Sequence, residues 1–191
     1  MSLGITELDR DVFTWVVEHR SQPFDWLFVG LSAAGQASIL WIALAPILAL
    51  LARRPPLFTT LVTAATVWTA DLLATLLKAM VDRQRPYELI PEADPLLRWD
   101  VAGSFPSGHA ATSVAGAIIL AYLLGRWGLW LGLLAAAVAF SRVYVGVHYP
   151  LDVLAGAALG AGVGLLAIAL VRRLRPTSAG PPRSGAARPE G

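Results

Sequence analysis

The sequence predicts an all-α protein, a polytopic membrane helical bundle of five to six helices. Of its 191 residues, 56% are hydrophobic and only 15% are charged, and the mean hydropathy is +0.61. A single domain with this composition is too apolar to be soluble. Its apolar residues form runs that approach the ~17–25 residues needed to cross a bilayer as a helix. These runs cover about 26–51, 57–80, 109–125, 127–145 and 151–171, and 109–125 is the shortest.

Residues 1–22 precede the first run and predict an amphipathic helix that lies in the membrane interface instead of crossing it. Acidic side chains occur throughout this segment and interrupt its apolar residues, which argues against a cleavable signal peptide. A helix here places Glu7, Asp11 and Glu18 away from its apolar face. That face comprises Ile5, Leu8, Val12, Trp15 and Val16.

The remaining chain divides into a membrane domain over residues 23–171 and a tail over residues 172–191. The tail is rich in Arg, Pro, Gly and Ser, a composition typical of disorder. Within the domain, residues 81–108 form one long polar loop, which is long enough to carry specificity.

Basic residues at alternate loops predict the orientation. With five crossings, one side of the membrane receives Arg53, Arg54, Arg126, Arg172, Arg173 and Arg175. The positive-inside rule makes that side cytoplasmic. We therefore expect an integral protein of a bacterial cell membrane with a cytoplasmic C-terminal tail.

Several classes of protein are disfavoured by composition. The chain has no cysteine, which excludes disulfides and thiolate metal sites. Its net charge of +2 is too small to indicate nucleic-acid binding, and no basic stripe with aromatic residues is present. Nothing in the sequence indicates an oligomeric state.

Three polar islands interrupt the apolar sequence, each where an apolar run meets a loop. All three fall on the predicted outer side, and together they hold the only lysine and two of the three histidines. Ionisable side chains near a bilayer are functional candidates by default. The first island is Lys78 with Arg85-Pro86, the second is Pro106-Ser107-Gly108-His109, and the third is Ser141-Arg142 with His148 and Asp152.

The second island predicts an anion site at the start of a helix. Ser107 suits the N-cap, and Gly108 allows the backbone to approach a ligand closely. Unbonded N–H groups at a helix start bind anions readily. An ordinary capped turn would explain the same residues.

The third island predicts a histidine supported by a carboxylate. Pro150 suits the first turn of the last helix, which places Asp152 in that turn and near His148. A carboxylate that binds one imidazole nitrogen leaves the other for nucleophilic attack. A buried structural His–Asp pair is the alternative, and Arg142 argues against it because an arginine at a membrane helix end calls for an anion.

The first island adds cations. Six residues separate Lys78 from Arg85, and Arg83 lies between them. The guanidinium fork matches phosphate oxygens, and lysine adds a point charge. Taken alone, these residues would be interfacial anchors. Asp71, seven residues before Lys78, either supports this site or pairs with a neighbouring helix, and we favour the pairing.

One further pattern concerns packing. Gly156, Gly160 and Gly164 recur at four-residue spacing in the last run and predict close helix contact, more plausibly within one chain than between two.

Together the islands resemble the three-part signature of the type 2 phosphatidic acid phosphatase superfamily. The signature reads Lys-(six residues)-Arg-Pro, Pro-Ser-Gly-His and Ser-Arg-(five)-His-(three)-Asp, and every position is matched across residues 78–152. The superfamily includes membrane lipid phosphatases and vanadium haloperoxidases. Its membrane members usually have six crossings, whereas this chain offers five and an N-terminal amphipathic helix.

The resemblance implies a role for each matched residue. His148 would attack phosphorus and become phosphohistidine, Asp152 would orient it, and His109 would protonate the leaving group and then activate water. Phosphate oxygens would be bound by the remaining matched residues, Lys78, Arg85, Ser107, Gly108 and Arg142. Electrostatic stabilisation by these groups needs neither a metal nor another cofactor.

The predicted function is hydrolysis of a lipid phosphate or diphosphate at the outer membrane surface. A polyprenyl diphosphate of the undecaprenyl type is the favoured substrate, and phosphatidic acid or phosphatidylglycerol phosphate is the alternative. A vanadate-dependent haloperoxidase would use the same residues, but the membrane character argues against it. A transporter would need polar groups along a path through the bilayer, and apart from Asp71 the charges stay on one side.

Overall fold

The computed structural model describes residues 2–35, 38–90, 93–98, 103–125 and 127–174. Within those ranges the chain is helical and contains no strand. The all-α class is therefore confirmed, although the predicted number of five to six helices was too low. The eight helical segments are α1 (Ser2–Glu18), α2 (Gln22–Ala34), α3 (Ile39–Leu51), α4 (Pro56–Val81), α5 (Pro86–Leu89), α6 (Gly108–Leu124), α7 (Gly128–Tyr144) and α8 (Pro150–Leu174).

The first apolar run is not one continuous helix, which corrects the prediction for residues 26–51. It comprises most of α2 and all of α3, whose directions differ by 81°. Ser38, immediately before α3, has a left-handed backbone conformation with φ of 64°. Such a residue cannot continue a right-handed helix. Hydropathy alone does not detect this break because the flanking residues are apolar on both sides.

The five predicted crossings correspond to helices of unequal length. The segment Pro56–Leu89, which contains α4 and α5, and helix α8 are long and apolar enough to cross a membrane, and the bent pair α2–α3 would provide a third span. Helices α6 and α7 have 17 residues each, at the lower limit for a crossing. Large apolar side chains are exposed along the longer helices, including Leu61, Trp68, Leu72, Leu165 and Leu166. These exposed side chains suit a lipid environment.

Close contact between α6 and α8 fixes the centre of the bundle. A Cβ atom at Gly156 would overlap the carbonyl oxygen of Ser107, and one at Gly160 would overlap that of Ala111. At Gly164 it would lie 2.9 Å from the Ile118 side chain. The predicted role of these three glycines in packing within the chain is thus confirmed. This contact brings the start of α8 against the start of α6.

The other end of the bundle holds the larger apolar core. Trp41 is fully buried there with Ile119 and Leu120. Its indole N–H donates to Ser113 Oγ at 3.1 Å, and its ring occupies the space that a side chain on Gly116 would need.

Helix α1 packs on the bundle through a different face from the one predicted. Asp9, Phe13 and Val16 are buried, whereas Leu8, Val12 and Trp15 are exposed. The predicted apolar face therefore contributes only Val16 to the core, and the side chain of Ile5 lies outside the described residues. The apolar surface of α1 is wide enough to contact both the protein and its surroundings.

The C-terminal helix continues slightly beyond the predicted domain boundary at residue 171. Arg172 and Arg173 lie in the last turn of α8, and Arg172 stacks over the Tyr122 ring at 5.3 Å. Basic side chains are favourable at this end of a helix, which explains the extension. The rest of the predicted tail, together with Arg126 and Arg175, lies outside the described residues.

Candidate active site

Arg85 occupies the centre of the site and is 2% exposed. It is the N-cap of α5, where its backbone N–H donates to Glu88 Oε2 at 3.1 Å and Pro86 begins the helix. One guanidinium nitrogen, Nη1, donates to the Val147 carbonyl at 2.9 Å, and Nη2 donates to the Gly103 carbonyl at 3.3 Å. A buried guanidinium needs several such partners, so Arg85 is held in one orientation.

His148 lies beside Arg85 in the loop between α7 and α8 and is 1% exposed. Its Nε2 atom is 3.5 Å from Arg85 Nη1, and its Nδ1 atom is 3.6 Å from Asp152 Oδ2. The second distance suits an ion pair and is long for a hydrogen bond. Its backbone N–H donates to the Arg142 carbonyl at 3.2 Å, which ties the loop to the end of α7.

Asp152 lies in the first turn of α8, as predicted, and Pro150 begins that helix. Its fully buried carboxylate is bound on both oxygens. Oδ1 is 2.6 Å from Arg83 Nη1, and Oδ2 accepts from the Tyr149 backbone N–H at 2.9 Å. The sequence predicted His148 as the main partner of Asp152, whereas the structure gives Arg83 the shorter contact.

The second island is attached to Asp152 through the backbone. Ser107 donates its N–H to the Asp152 carbonyl at 2.8 Å and is the N-cap of α6, accepting from the Ala110 N–H at 3.4 Å. His109 follows in the first turn, partly exposed. Gly35 provides room for its ring, since a Cβ there would lie 3.2 Å from His109 Cδ2.

Two further predicted residues complete the group of cations. Lys78, in the last turn of α4, donates from Nζ to the Gly103 carbonyl at 3.3 Å, the same oxygen that Arg85 binds. Arg142, in the last turn of α7, is 3% exposed and donates from Nη1 to Ser32 Oγ. The side chains of all three islands are therefore positioned by the ends of α4 and α7, the starts of α5, α6 and α8, and the loop before α8.

Gly108 lies between the second island and α4. A Cβ there would be 3.5 Å from Asp71 Oδ1, so Asp71 lies next to the start of α6. Gly108 belongs both to the site and to the neighbouring helix α6, so this contact fits both predicted roles of Asp71, and the preference for pairing with a neighbouring helix stays a prediction.

Sequence reasoning missed Asp9 as a member of the site and left the role of Arg83 open. Arg83 contacts Asp152 and also Asp9, whose Oδ2 lies 2.7 Å from Arg83 Nη2. These two carboxylates together balance the positive charge of the partly buried Arg83 guanidinium. One sign in the sequence that Asp9 could face the bundle is its position seven residues before Val16, on the same face of the helix.

An apolar groove of about 590 Å³ runs beside the site, between α1, α6, α7 and α8. Two of its lining residues, Pro150 and Val153, are close in sequence to His148 and Asp152. Other lining residues are Val12, Val16, Phe140 and Leu154. Within the described ranges, no cluster of three or more His, Cys, Asp or Glu side chains could hold a metal ion.

Known proteins are similar in sequence to most of this chain. The model of the PAP2 superfamily matches residues 56–176. An undecaprenyl-diphosphatase of Sulfolobus acidocaldarius is 31% identical over 159 residues, covering 83% of this chain and 76% of that protein. A decaprenylphosphoryl-5-phosphoribose phosphatase of Mycobacterium tuberculosis is 41% identical over 140 residues, covering 72% and 75% of the two chains.

Solved structures show the same fold. A transmembrane PAP2-type phosphatidylglycerolphosphate phosphatase from Bacillus subtilis aligns with a TM-score of 0.75 at 24% identity, covering 90% of this chain and 88% of that one. LpxE of Aquifex aeolicus aligns with a TM-score of 0.66 at 25% identity, covering 83% and 93%. The predictions of an integral membrane protein and of a lipid phosphatase are confirmed, and this chain belongs to the PAP2 superfamily.

Proposed function

We propose that this chain hydrolyses the phosphate or diphosphate headgroup of a membrane lipid through a phosphohistidine intermediate on His148. The placement of the His148 ring carries this proposal. Its Nδ1 faces the Asp152 carboxylate and its Nε2 faces the Arg85 guanidinium. A carboxylate near Nδ1 favours the tautomer with the proton on that nitrogen, so Nε2 carries the lone pair that attacks phosphorus.

The reaction proceeds in two displacements. In the first, the bond between His148 Nε2 and phosphorus forms, the bond from phosphorus to the leaving oxygen breaks, and His109 gives that oxygen a proton. In the second, water attacks phosphorus, the P–N bond breaks, and His109 takes a proton from the water. The roles of the two histidines follow the family resemblance.

Cations stabilise the charge on the transferring group. Arg85 and Arg142 are buried, where their interaction with phosphoryl oxygens is stronger than in water. Lys78 adds a third positive charge, and the start of α6 presents the backbone N–H of Gly108. These groups come entirely from the protein, so we infer that the reaction requires no metal.

A lipid substrate is supported by the apolar groove beside the site. Pro150 and Val153 line this groove, so a headgroup at His148 would have its hydrocarbon chain next to an apolar surface. Among lipids, we favour a polyprenyl diphosphate because relatives include an undecaprenyl-diphosphatase and a phosphatase of a decaprenyl lipid. Phosphatidylglycerol phosphate and phosphatidic acid are the alternatives, the former suggested by a phosphatidylglycerophosphatase B of Bacillus subtilis that is 35% identical over 103 residues.

We further propose that the site faces the extracytoplasmic side. The arginines at the opposite end, Arg53, Arg54, Arg172 and Arg173, supply the positive charge expected in the cytoplasm. Residues 1–22 then form an interfacial helix, residues 23–171 form the phosphatase domain, and the tail over residues 172–191 lies on the cytoplasmic side.

The test is phosphate release from liposomes that contain one candidate lipid each. The panel comprises undecaprenyl diphosphate, phosphatidic acid, phosphatidylglycerol phosphate and a phosphorylated polyprenyl-sugar lipid. We expect the highest kcat/KM with undecaprenyl diphosphate and no turnover by His148→Ala, with insertion of the variant confirmed by its thermal transition in detergent. Release from none of the lipids, or unchanged turnover by His148→Ala, would contradict the proposal.

The effects of EDTA and vanadate on phosphate release test whether the reaction needs a metal. Because the phosphoryl charge is balanced by protein cations, EDTA should leave phosphate release unchanged, and vanadate should compete with the lipid as a mimic of the five-coordinate phosphoryl group. A strict requirement for Mg²⁺ would show that the cations are insufficient.

A further inference from the structure

We propose that Asp9 and Arg83 form a clasp through which the N-terminal helix positions Asp152 and shields its charge from His148. Neither residue belongs to the signature of the three islands. The inference rests on the proposed function, because it assigns the clasp to the support of the nucleophile. Asp9 and Arg83 are positioning residues and act on the reaction through Asp152.

The clasp is an ion-pair network across three parts of the chain. Arg83, in the loop after α4, is 2.6 Å from Asp152 Oδ1 through Nη1 and 2.7 Å from Asp9 Oδ2 through Nη2. The planar fork of one guanidinium thus joins α1 to α8. The side chains of Asp9 and Asp152 are 1% and 0% exposed, and that of Arg83 is 23% exposed. Burial makes both carboxylates dependent on their partners.

Asp9 holds the start of α8 at a second point. Its Oδ1 atom accepts from the Leu151 backbone N–H at 2.8 Å, one residue before Asp152. The first-turn N–H groups of a helix have no partner within the helix, so this bond satisfies one of them. Both oxygens of Asp9 are therefore used to fix the backbone and the side chain around Asp152.

Aromatic contacts surround the clasp. The Arg83 guanidinium lies over the Tyr149 ring at 4.2 Å, and Tyr149 packs against Phe13 of α1 with ring centroids 5.5 Å apart. On the side of α8 that faces α6, the Asp152 backbone carbonyl accepts a hydrogen bond from the Ser107 backbone N–H. The first turn of α8 is thus held between α1 and α6, and a small shift of this turn would move His148 as well.

The positive charge of Arg83 affects the reactivity of His148 through Asp152. A nucleophilic imidazole must be neutral, and an unshielded carboxylate beside it would stabilise the protonated form. Because Asp152 Oδ1 is bound to Arg83, the negative charge is partly balanced before it acts on His148. On the Nε2 side of this imidazole, Arg85 Nη1 lies 3.5 Å away and adds a positive charge. The site's other charged or titratable side chains are Lys78 in the last turn of α4, His109 in the first turn of α6 and Arg142 in the last turn of α7.

The experiment measures kcat, KM and the pH–rate profile of the full-length protein in liposomes for four variants. Arg83→Gln removes the shielding charge, and Arg83→Lys restores a charge without the fork. Asp9→Asn weakens the attachment of α1. Asp11→Asn is the matched control, because it makes the same change on the same helix at an exposed position.

We expect Arg83→Gln to lower kcat by roughly 10–100-fold, the equivalent of one charged hydrogen bond, with a smaller effect on KM. The acid limb of its kcat/KM profile should move to higher pH, because unshielded Asp152 keeps His148 protonated. Arg83→Lys should return the limb towards its wild-type position while recovering only part of kcat. Asp9→Asn should lower kcat, and Asp11→Asn should match the wild type.

The proposed role of the clasp is contradicted if Arg83→Gln keeps the wild-type kcat and the wild-type acid limb. It is also contradicted if Asp9→Asn has the same kcat as Asp11→Asn. If Arg83→Gln does not fold, Arg83→Lys and Asp9→Asn decide the question by the same two comparisons. His148→Ala, measured in parallel, separates this outcome from failure of the proposed function. Residual turnover by that variant rejects the phosphohistidine, whereas inactivity of that variant beside unaffected clasp variants rejects the clasp alone.

Discussion

Arg85 illustrates how single residues in this site are fixed by backbone oxygens. Two carbonyls, those of Val147 and Gly103, accept hydrogen bonds from its guanidinium, and the second also accepts from Lys78. Holding a buried cation in this way reduces the reorganisation needed when an anion binds. The two carbonyls come from the loops after α7 and before α6, so the cations can align only when both loops are in place.

Arg142 is a second buried guanidinium of the site, and a substitution can test whether its planar fork is needed. Its Nη1 is bound to Ser32 and its side chain is buried at the end of α7. Arg142→Lys should reduce kcat/KM by about 10-fold or more, because lysine keeps the charge but cannot supply two directed donors. Steady-state kinetics on the preferred lipid measure the effect. Arg173→Lys, an exposed change at the opposite end, is the control, and equal rates for the two variants would show that the fork is dispensable.

The contact between helices α6 and α8 determines how the second and third islands are placed relative to each other. The second island lies at the start of one and Asp152 at the start of the other, and the hydrogen bond from Ser107 to the Asp152 carbonyl joins them. Their separation depends on glycines of α8 that face backbone oxygens of α6. The helix contact is therefore part of the site.

Two glycines of α8 offer a matched test of that contact. A Cβ at Gly160 would overlap Ala111, whereas one at Gly162 meets nothing within 4 Å. Gly160→Ala should destabilise the protein by about 1–3 kcal/mol through overpacking and reduce activity. Gly162→Ala should be neutral or stabilise by about 0.5–1 kcal/mol, because alanine is the better helix former. Denaturation in detergent and phosphate release measure both, and similar losses for the two variants would contradict the packing role.

The candidate active site lies at one end of the molecule, and Arg53, Arg54, Arg172 and Arg173 lie at the other end. The absence of native cysteine allows this sidedness to be tested with single introduced thiols. Asp94→Cys lies in the exposed loop at the catalytic end, and Arg54→Cys lies at the other. In intact cells a membrane-impermeant thiol reagent should label Asp94→Cys only, and Arg54→Cys should react after permeabilisation. The reverse pattern would place the site in the cytoplasm.

Hydropathy, spacing and small residues act locally along the chain, so the helical membrane class, the three islands and the close packing of α8 could be predicted from the sequence. The contacts of Arg83 with Asp9 and Asp152 could not, because they depend on tertiary packing: Arg83 lies 69 positions before Asp152 and 74 positions after Asp9. The break between α2 and α3 was likewise missed, because hydropathy averages the short stretch Gly35-Gln36-Ala37-Ser38 with the apolar residues on both sides and does not report direction. Local patterns give the chemistry available to the chain, whereas the partners of a buried charge depend on which distant segments fold against it.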